Sequence, residues 1–284
     1  MRLAFLCIVI AAGCLTNGQA RQLPSTSTPV QFPFEFREGL LWIKVQVPES
    51  KERLNFLLDS GAEASVVNLE TARELSLKPG QPVPVRGVGV AMSGYWTMTR
   101  EARVGQVRVP NRLLALDLDQ LSRSCSCRVD GLLGSDFFAG RVVQISFRDS
   151  TIRLLDSATP TPGACVPMEL RRGAVRMKAE VNANRAQWFR VDTGCATPLQ
   201  WVNRQISPEE SSTKLAVGLA EMSIPQTRAT VKLAAETLTC VETGLHTTPI
   251  FEGEAGLIGN GLLSRFQTVT LDFPHNRVIL GARW

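Results

Sequence analysis

The chain has 284 residues, of which 44% are hydrophobic and 20% are charged. These fractions are close to globular averages, so they exclude disordered and collagen-like chains and allow one large domain or two ordinary ones. The net charge of +5 comes without long runs of Lys or Arg, and we therefore expect no nucleic-acid partner. The two histidines and the cysteines lack the spacing of zinc ligands, so we expect no metal and no cofactor.

Residues 1–20 have the pattern of a secretory signal peptide. A basic start at Met1-Arg2 precedes an apolar run from Leu3 to Gly13, and Gly18-Gln19-Ala20 offers a cleavage site of small residues. We therefore predict an exported protein, either periplasmic or secreted. The alternative is a lipid anchor at Cys14, because Ala11-Ala12-Gly13-Cys14 resembles a bacterial lipobox.

An exported chain can form disulfides, and five cysteines follow the signal region. Because this number is odd, at least one thiol is left free or bonds to another molecule. The sequence leaves open which of them pair: Cys125, Cys127, Cys165, Cys195 and Cys240.

Four sequence blocks occur twice, in the same order. The pairs are 34–39 with 168–173, 56–61 with 189–194, 131–134 with 256–259, and 143–147 with 269–273. A repeat of this kind predicts two similar structural units. We therefore predict a short N-terminal linker at 21–31, a first lobe at 32–157, a linker at 158–165 and a second lobe at 166–284.

The local patterns of both lobes predict mainly strands. In chain order we expect a strand at 41–47, a helix at 69–75 capped by Asn68, a glycine-rich hairpin at 85–96, a helix at 136–139 capped by Ser135, and strands at 151–155 and 277–280, each paired with the strand before it. The predicted fold class is all-β with a few short helices. The two lobes are expected to be related by pseudo-twofold symmetry, with a cleft between them.

Asp59-Ser60-Gly61 and Asp192-Thr193-Gly194 stand at equivalent points of the two copies, each directly after an apolar strand. An apolar-apolar-Gly block follows each of them, at 132–134 and 257–259. Over about residues 32–284 this pattern resembles the retropepsin-like aspartic proteases, in a duplicated single-chain form of the bacterial exported type with a pepsin-like two-lobed layout. The resemblance implies β-barrel lobes with catalytic Asp59 and Asp192. It also implies supporting roles for the loop residues Ser60, Gly61, Thr193 and Gly194.

Paired carboxyl groups suit amide hydrolysis, which needs one group to accept a proton and another to donate one. Like charges about 3 Å apart cannot both ionise, so such a pair holds one shared proton. The residues after the two motifs are Ala62 and Cys195, where acid-adapted relatives often carry a hydroxyl. Because a hydroxyl would lower the pKa of the pair, its loss predicts an optimum of roughly pH 5–6.5.

The hairpin at 85–96 corresponds to the flap that family members close over an extended substrate. The resemblance implies substrate contacts for Gly89, Gly94 and Tyr95, and we expect Tyr95 near the tip. A second, less glycine-rich flap is expected near 217–221.

Together these features predict an exported aspartic endopeptidase that acts as a monomer on peptide or protein substrates. The alternative is a non-catalytic, retropepsin-like peptide-binding protein that keeps the cleft without turnover, since a fold does not guarantee a function. Two intact Asp motifs favour the enzyme.

Overall fold

The structure is a computed structural model that describes residues 2–5, 8–10, 29–87, 90–203, 212–217 and 220–284. Of the predicted signal peptide it describes two short strands, β1 (Arg2–Phe5) and β2 (Ile8–Ile10). Cys14, Gly89 and the proposed cleavage site lie outside the described residues, so the signal peptide stays a prediction. Among the helices that are described, none has the length and apolar character needed to cross a membrane.

The described chain is mostly β with short helices, as predicted. The first lobe contains β3 (Val30–Pro33), β4 (Glu35–Arg37), β5 (Leu40–Val45), β6 (Leu54–Leu58), β7 (Val66–Asn68), α1 (Leu69–Glu74), β8 (Pro82–Gly87), β9 (Val90–Met98), β10 (Arg103–Val104), β11 (Val107–Arg108), β12 (Arg112–Leu116), α2 (Asp119–Ser124), β13 (Gly131–Leu133), α3 (Ser135–Phe138), β14 (Val142–Ser146) and β15 (Thr151–Leu155). The second contains β16 (Ala164–Arg171), β17 (Ala174–Val181), β18 (Gln187–Asp192), β19 (Leu199–Val202), β20 (Ser212–Val217), β21 (Ala220–Leu233), β22 (Glu236–His246), β23 (Gly256–Gly259), α4 (Asn260–Leu263), β24 (Thr268–Asp272) and β25 (Arg277–Leu280).

The two lobes have the same strand order. In the first lobe the order is β2-β8-β9-β12-β7-β13-β6-β5-β4, and in the second it is β1-β20-β21-β22-β19-β23-β18-β17-β16. The four repeated sequence blocks lie at equivalent places in this order, on β4 and β16, β6 and β18, β13 and β23, and β14 and β24. A shared sheet, β16-β25-β24-β14-β15-β3, joins the lobes through the antiparallel pair β14–β24. It combines strands of both lobes: β3, β14 and β15 of the first, and β16, β24 and β25 of the second.

Local sequence explains the start of α1 but not that of α3. Asn68 caps α1 as predicted, because its side chain accepts a hydrogen bond from the Glu70 N–H. The prediction that Ser135 caps the next helix is wrong: α3 begins at Ser135 itself, after Gly134. The Ser135 hydroxyl instead donates to the Glu63 carbonyl at 3.0 Å, which ties α3 to the loop after β6.

Apolar side chains from both lobes form one continuous core. Phe56 and Phe138 of the first lobe and Phe189 and Leu263 of the second are fully buried members of it. A smaller cluster in the first lobe contains Leu57, packed with residues of β5, β12 and β13. Burying each such side chain contributes about 1.5–3 kcal/mol, so the strands that lead into the Asp motifs are firmly held.

Candidate active site

The two Asp motifs lie at the ends of equivalent buried strands. Asp59 directly follows β6, and Asp192 is the last residue of β18. Strands β13 and β23 run parallel to β6 and β18 and lie beside them. The Asp59 N–H donates to the Leu133 carbonyl at 2.9 Å, so the apolar strand supports the loop from behind.

The hydroxyl groups of Ser60 and Thr193 lock the two loops together across the lobes. The Ser60 N–H donates to Thr193 Oγ1 at 2.9 Å, and the Thr193 N–H donates to Ser60 Oγ at 3.1 Å. Each hydroxyl then donates to a strand carbonyl of the other lobe: Ser60 to Val191 at 2.7 Å, and Thr193 to Leu58 at 2.8 Å. All four bonds are buried, and together they set the relative position of the two carboxyl groups.

The Asp59 carboxyl lies against the backbone of the facing loop. A Cβ placed on Gly194 would lie 2.6 Å from Asp59 Cγ, so any side chain at 194 would push the loops apart. The N–H groups of Gly61 and Ala62 donate to Asp59 Oδ1 at 2.9 and 3.1 Å. The Gly194 N–H donates in the same way to Asp192 Oδ1 at 2.9 Å.

The environment of Asp59 favours its protonated form. Burial raises the pKa of Asp59 well above its ordinary value, and the negative charge of Asp192 raises it further. The N–H groups of Ala62 and Gly61 oppose these effects, because they stabilise the ionised form. Asp59 Oδ2 is buried and has no hydrogen-bond donor among the described residues. A proton shared by the two carboxyl groups would give this oxygen the hydrogen bond that it lacks.

Cys195, the residue after the second motif, is a fully buried thiol. Burial raises its pKa well above the ordinary value, and the nearby Asp192 charge adds to the shift. Its Sγ lies 3.2 Å from Thr197 Oγ1. Since the thiolate is the reactive form of cysteine, this environment suits a neutral packing residue rather than a nucleophile.

Both predicted flaps coincide with hairpins, although their tips lie outside the described residues. The first hairpin is β8–β9 and the second is β20–β21. The expectation that Tyr95 lies near the tip is wrong, because Tyr95 pairs with Pro82 at the far end of the hairpin. Gly94 lies inside the hairpin, where an added Cβ would be 2.9 Å from Leu114 Cδ1. The roles predicted for Gly89, Gly94 and Tyr95 in substrate binding stay predictions.

The other four cysteines are partly buried or exposed. In the described part of the chain, Cys125, Cys127, Cys165 and Cys240 are thiols without a disulfide. Burial raises the pKa of Cys125 to about 12, and Arg37 Nη2 donates to Cys127 Sγ at 3.0 Å.

Two residues of the site could not be recognised from the sequence pattern. Asn260 Nδ2 donates to the Thr193 carbonyl at 2.7 Å and to the Gly39 carbonyl of the other lobe at 2.8 Å. Arg190 Nη1 donates to the Gly61 carbonyl at 2.9 Å, also across the lobes. The only signal in the sequence is a difference between the two repeats. Asn260 stands where the first lobe has Ser135, and Arg190 stands where it has Leu57.

Comparison with known proteins agrees with this geometry. Residues 43–137, which include the first Asp motif, match the aspartyl protease family model. Among solved structures, the chain is similar to the aspartic proteinase from Irpex lacteus, with a TM-score of 0.55 and 12% sequence identity over 90% of this chain and 98% of that one. No curated protein sequence matches the chain. The fold is thus that of the two-lobed aspartic proteinases. The family match is confined to residues 43–137 of the first lobe, and the likeness to the solved structure shows the fold.

Proposed function

We propose that this protein is an exported aspartic endopeptidase whose catalytic groups are Asp59 and Asp192. The observation that carries the proposal is the pair of buried loops, which brings the two motifs together across the lobes through reciprocal hydrogen bonds of Ser60 and Thr193. One chain supplies both carboxyl groups, so we propose that it acts as a monomer. The signal-like N-terminus supports export, with lipidation at Cys14 as the alternative.

The proposed reaction uses the single proton that the pair shares. The ionised carboxyl removes a proton from water as the new C–O bond forms, and the protonated carboxyl donates its proton to the carbonyl oxygen. In the second step the C–N bond breaks and the proton taken from water passes to the leaving nitrogen. The other carboxyl then takes back a hydroxyl proton, so the pair again holds one proton.

An extended peptide is the substrate that the hairpins favour. Strand β8 pairs with β9 on one side, and on its other side it pairs with the extended residues Ile8–Ile10. Strand β20 similarly pairs with Arg2–Phe5. Hairpin edges that accept an added strand can hold a peptide through backbone hydrogen bonds, largely independently of its side chains. This supports a peptide or protein substrate in both candidate functions.

Digestion of a peptide library by the exported form of the chain tests the proposal. We expect cleavage within extended segments, and we expect the Asp59→Asn variant to leave the library intact. If neither protein cleaves but both bind peptides, the binding function is correct and the enzyme proposal is wrong. Equal cleavage by the two proteins would reject Asp59 as a catalytic group.

Ala62 has no hydroxyl to donate to the ionised Asp59, and this predicts activity at milder pH than that of relatives with a hydroxyl at this position. Burial and the Asp192 charge raise the pKa of Asp59, so the monoprotonated pair should persist into mildly acidic solution. From the missing hydroxyl bond we expect an optimum at roughly pH 5–6.5. An Ala62→Ser variant adds a hydroxyl beside Asp59 and should move the profile down by up to about one pH unit.

Cleavage rates from pH 2 to 8 check this expectation. Ala62→Cys is the matched control, since it adds an atom of similar size that donates only weakly and reproduces the residue at position 195. A wild-type maximum near pH 2–3 would contradict the account, as would equal profiles for the Ser and Cys variants.

A further inference from the structure

The second lobe places a buried arginine against the catalytic loop of the first lobe. Arg190 lies on β18, two residues before Asp192, and is 3% exposed. Its Nη1 donates to the Gly61 carbonyl at 2.9 Å, between residues that are 129 positions apart in the chain. The other side of the guanidinium forms two hydrogen bonds with Glu254, from Nε at 2.8 Å and from Nη2 at 2.9 Å. Both side chains are therefore held rigidly.

The carbonyl that Arg190 contacts belongs to a peptide unit that also contacts Asp59. The Gly61 oxygen and the Ala62 nitrogen are parts of one planar group, so fixing one end fixes the other. The Ala62 N–H donates to Asp59 Oδ1 at 3.1 Å. Arg190, the Gly61–Ala62 peptide and the Asp59 carboxyl thus form a continuous chain of hydrogen bonds.

The contact breaks the symmetry of the two lobes. Arg190 is opposite Leu257 on β23, just as Leu57 is opposite Leu132 on β13, so Leu57 is its counterpart. Leu57 is packed in an apolar cluster.

The buried ion pair of Arg190 with Glu254 is costly to desolvate. Such a pair is often no more stabilising than apolar residues of similar volume, so stability alone does not account for Arg190.

We propose that Arg190 is a positioning residue that holds the Gly61–Ala62 peptide, and through it Asp59, in the orientation that the dyad needs. The inference rests on the proposed function, since it names a residue that supports the same site. Guanidinium geometry suits this role, because one planar group can bind the Glu254 carboxylate with one edge and the Gly61 carbonyl with another. A lysine at the same position can make only one of these contacts well.

The groups around the Gly61–Ala62 peptide determine the direction in which the pKa of Asp59 should change when the peptide is released. Asp59 accepts from this peptide and Arg190 donates to it. Asp192 and Cys195 interact electrostatically with Asp59, and Glu254 and Arg176 interact with Arg190 behind the loop. On α3, whose Ser135 N–H donates to the Ala62 carbonyl, Asp136 is the acidic group. The Ala62 N–H lowers the pKa of Asp59. If the peptide is released, this hydrogen bond weakens and Asp59 holds its proton to higher pH. A purely structural role for Arg190 would change stability without this shift.

The test is the double variant Arg190→Leu/Glu254→Leu in the full exported chain, which removes both charges together and leaves neither unpaired. We expect it to fold, to lose about 10–100-fold in kcat with KM little changed, and to shift its pH profile upward by up to about one unit. The matched control is Arg172→Leu/Glu252→Leu, which removes an exposed ion pair of the same lobe. This control should keep the wild-type kcat and pH profile. If the double variant does not fold, Arg190→Lys should show the same upward shift, with a smaller fall in kcat.

Titration of the Asp carboxyl groups by ¹³C NMR separates this inference from the proposed function. The pKa of Asp59 should be higher in the Arg190 variants than in the wild type, whether or not the protein cleaves peptides. If the wild type does not cleave peptides but the pKa of Asp59 is higher in the Arg190 variants, the enzyme proposal is wrong and the positioning role of Arg190 stands. An active wild type whose folded Arg190 variants retain its kcat, pH profile and Asp59 titration would overturn the inference.

Discussion

Replacing Asp192 with Asn is expected to reduce kcat by at least about 10³-fold, because in the proposed mechanism the variant loses one of the two groups that transfer protons. The amide has nearly the same shape as the carboxyl, so it can keep the bond that Asp192 Oδ1 accepts from the Gly194 N–H. It cannot ionise or exchange a proton with Asp59. The measurement is the initial rate of cleavage at the wild-type optimum, corrected for the folded fraction.

Although the Asp192→Asn variant should lose activity, its stability at neutral pH should not fall. A folded-state pKa raised above the unfolded value favours the folded state at low pH, and this contribution is lost as pH rises through the folded pKa. The Asp192 charge is one cause of the raised pKa of Asp59, so removing it should leave the variant at least as stable as the wild type at neutral pH.

Asp272→Asn is the matched control for this loss of activity. Asp272 is also a buried aspartate, but it pairs with Arg277 and His275 at the end of β24. Those partners lower its pKa despite its burial, so the control should lose stability and keep its turnover per folded molecule. Near-wild-type cleavage by Asp192→Asn would show that the two aspartates do not act as a pair.

Replacing Thr193 with Val is expected to lower the free energy of unfolding by about 2–5 kcal/mol, because it leaves two buried backbone groups without partners. Thr193 Oγ1 accepts from the Ser60 N–H and donates to the Leu58 carbonyl. Valine has the same shape but can do neither. Activity should also fall, since the relative position of the loops depends on these bonds.

Urea denaturation of Thr193→Val and Thr193→Ser measures the effect. Serine keeps the hydroxyl and loses one methyl group, so it should cost only about 1 kcal/mol. If the two variants have equal stability, the hydroxyl does not join the lobes.

Much of the fold could be predicted because its signals are local or periodic. The repeated blocks fall on equivalent strands, and the paired motifs at Asp59 and Asp192 fall at the ends of β6 and β18. Asn68 caps α1 as its position implied. Strand alternation, turn residues and N-caps depend on neighbours within a few positions, so the chain encodes them directly.

Only the tertiary structure decided which polar groups meet between the lobes. The sequence alone predicted Tyr95 near the tip of the flap hairpin, but in the strand register it lies at the far end. The sequence also predicted Ser135 as a helix cap, but the Ser135 hydroxyl donates to the Glu63 carbonyl instead. It gave no reason to connect Arg190 with Gly61, or Asn260 with Gly39. Local patterns do not encode such contacts, because they arise when buried side chains more than a hundred residues apart must find hydrogen-bond partners once the lobes have packed.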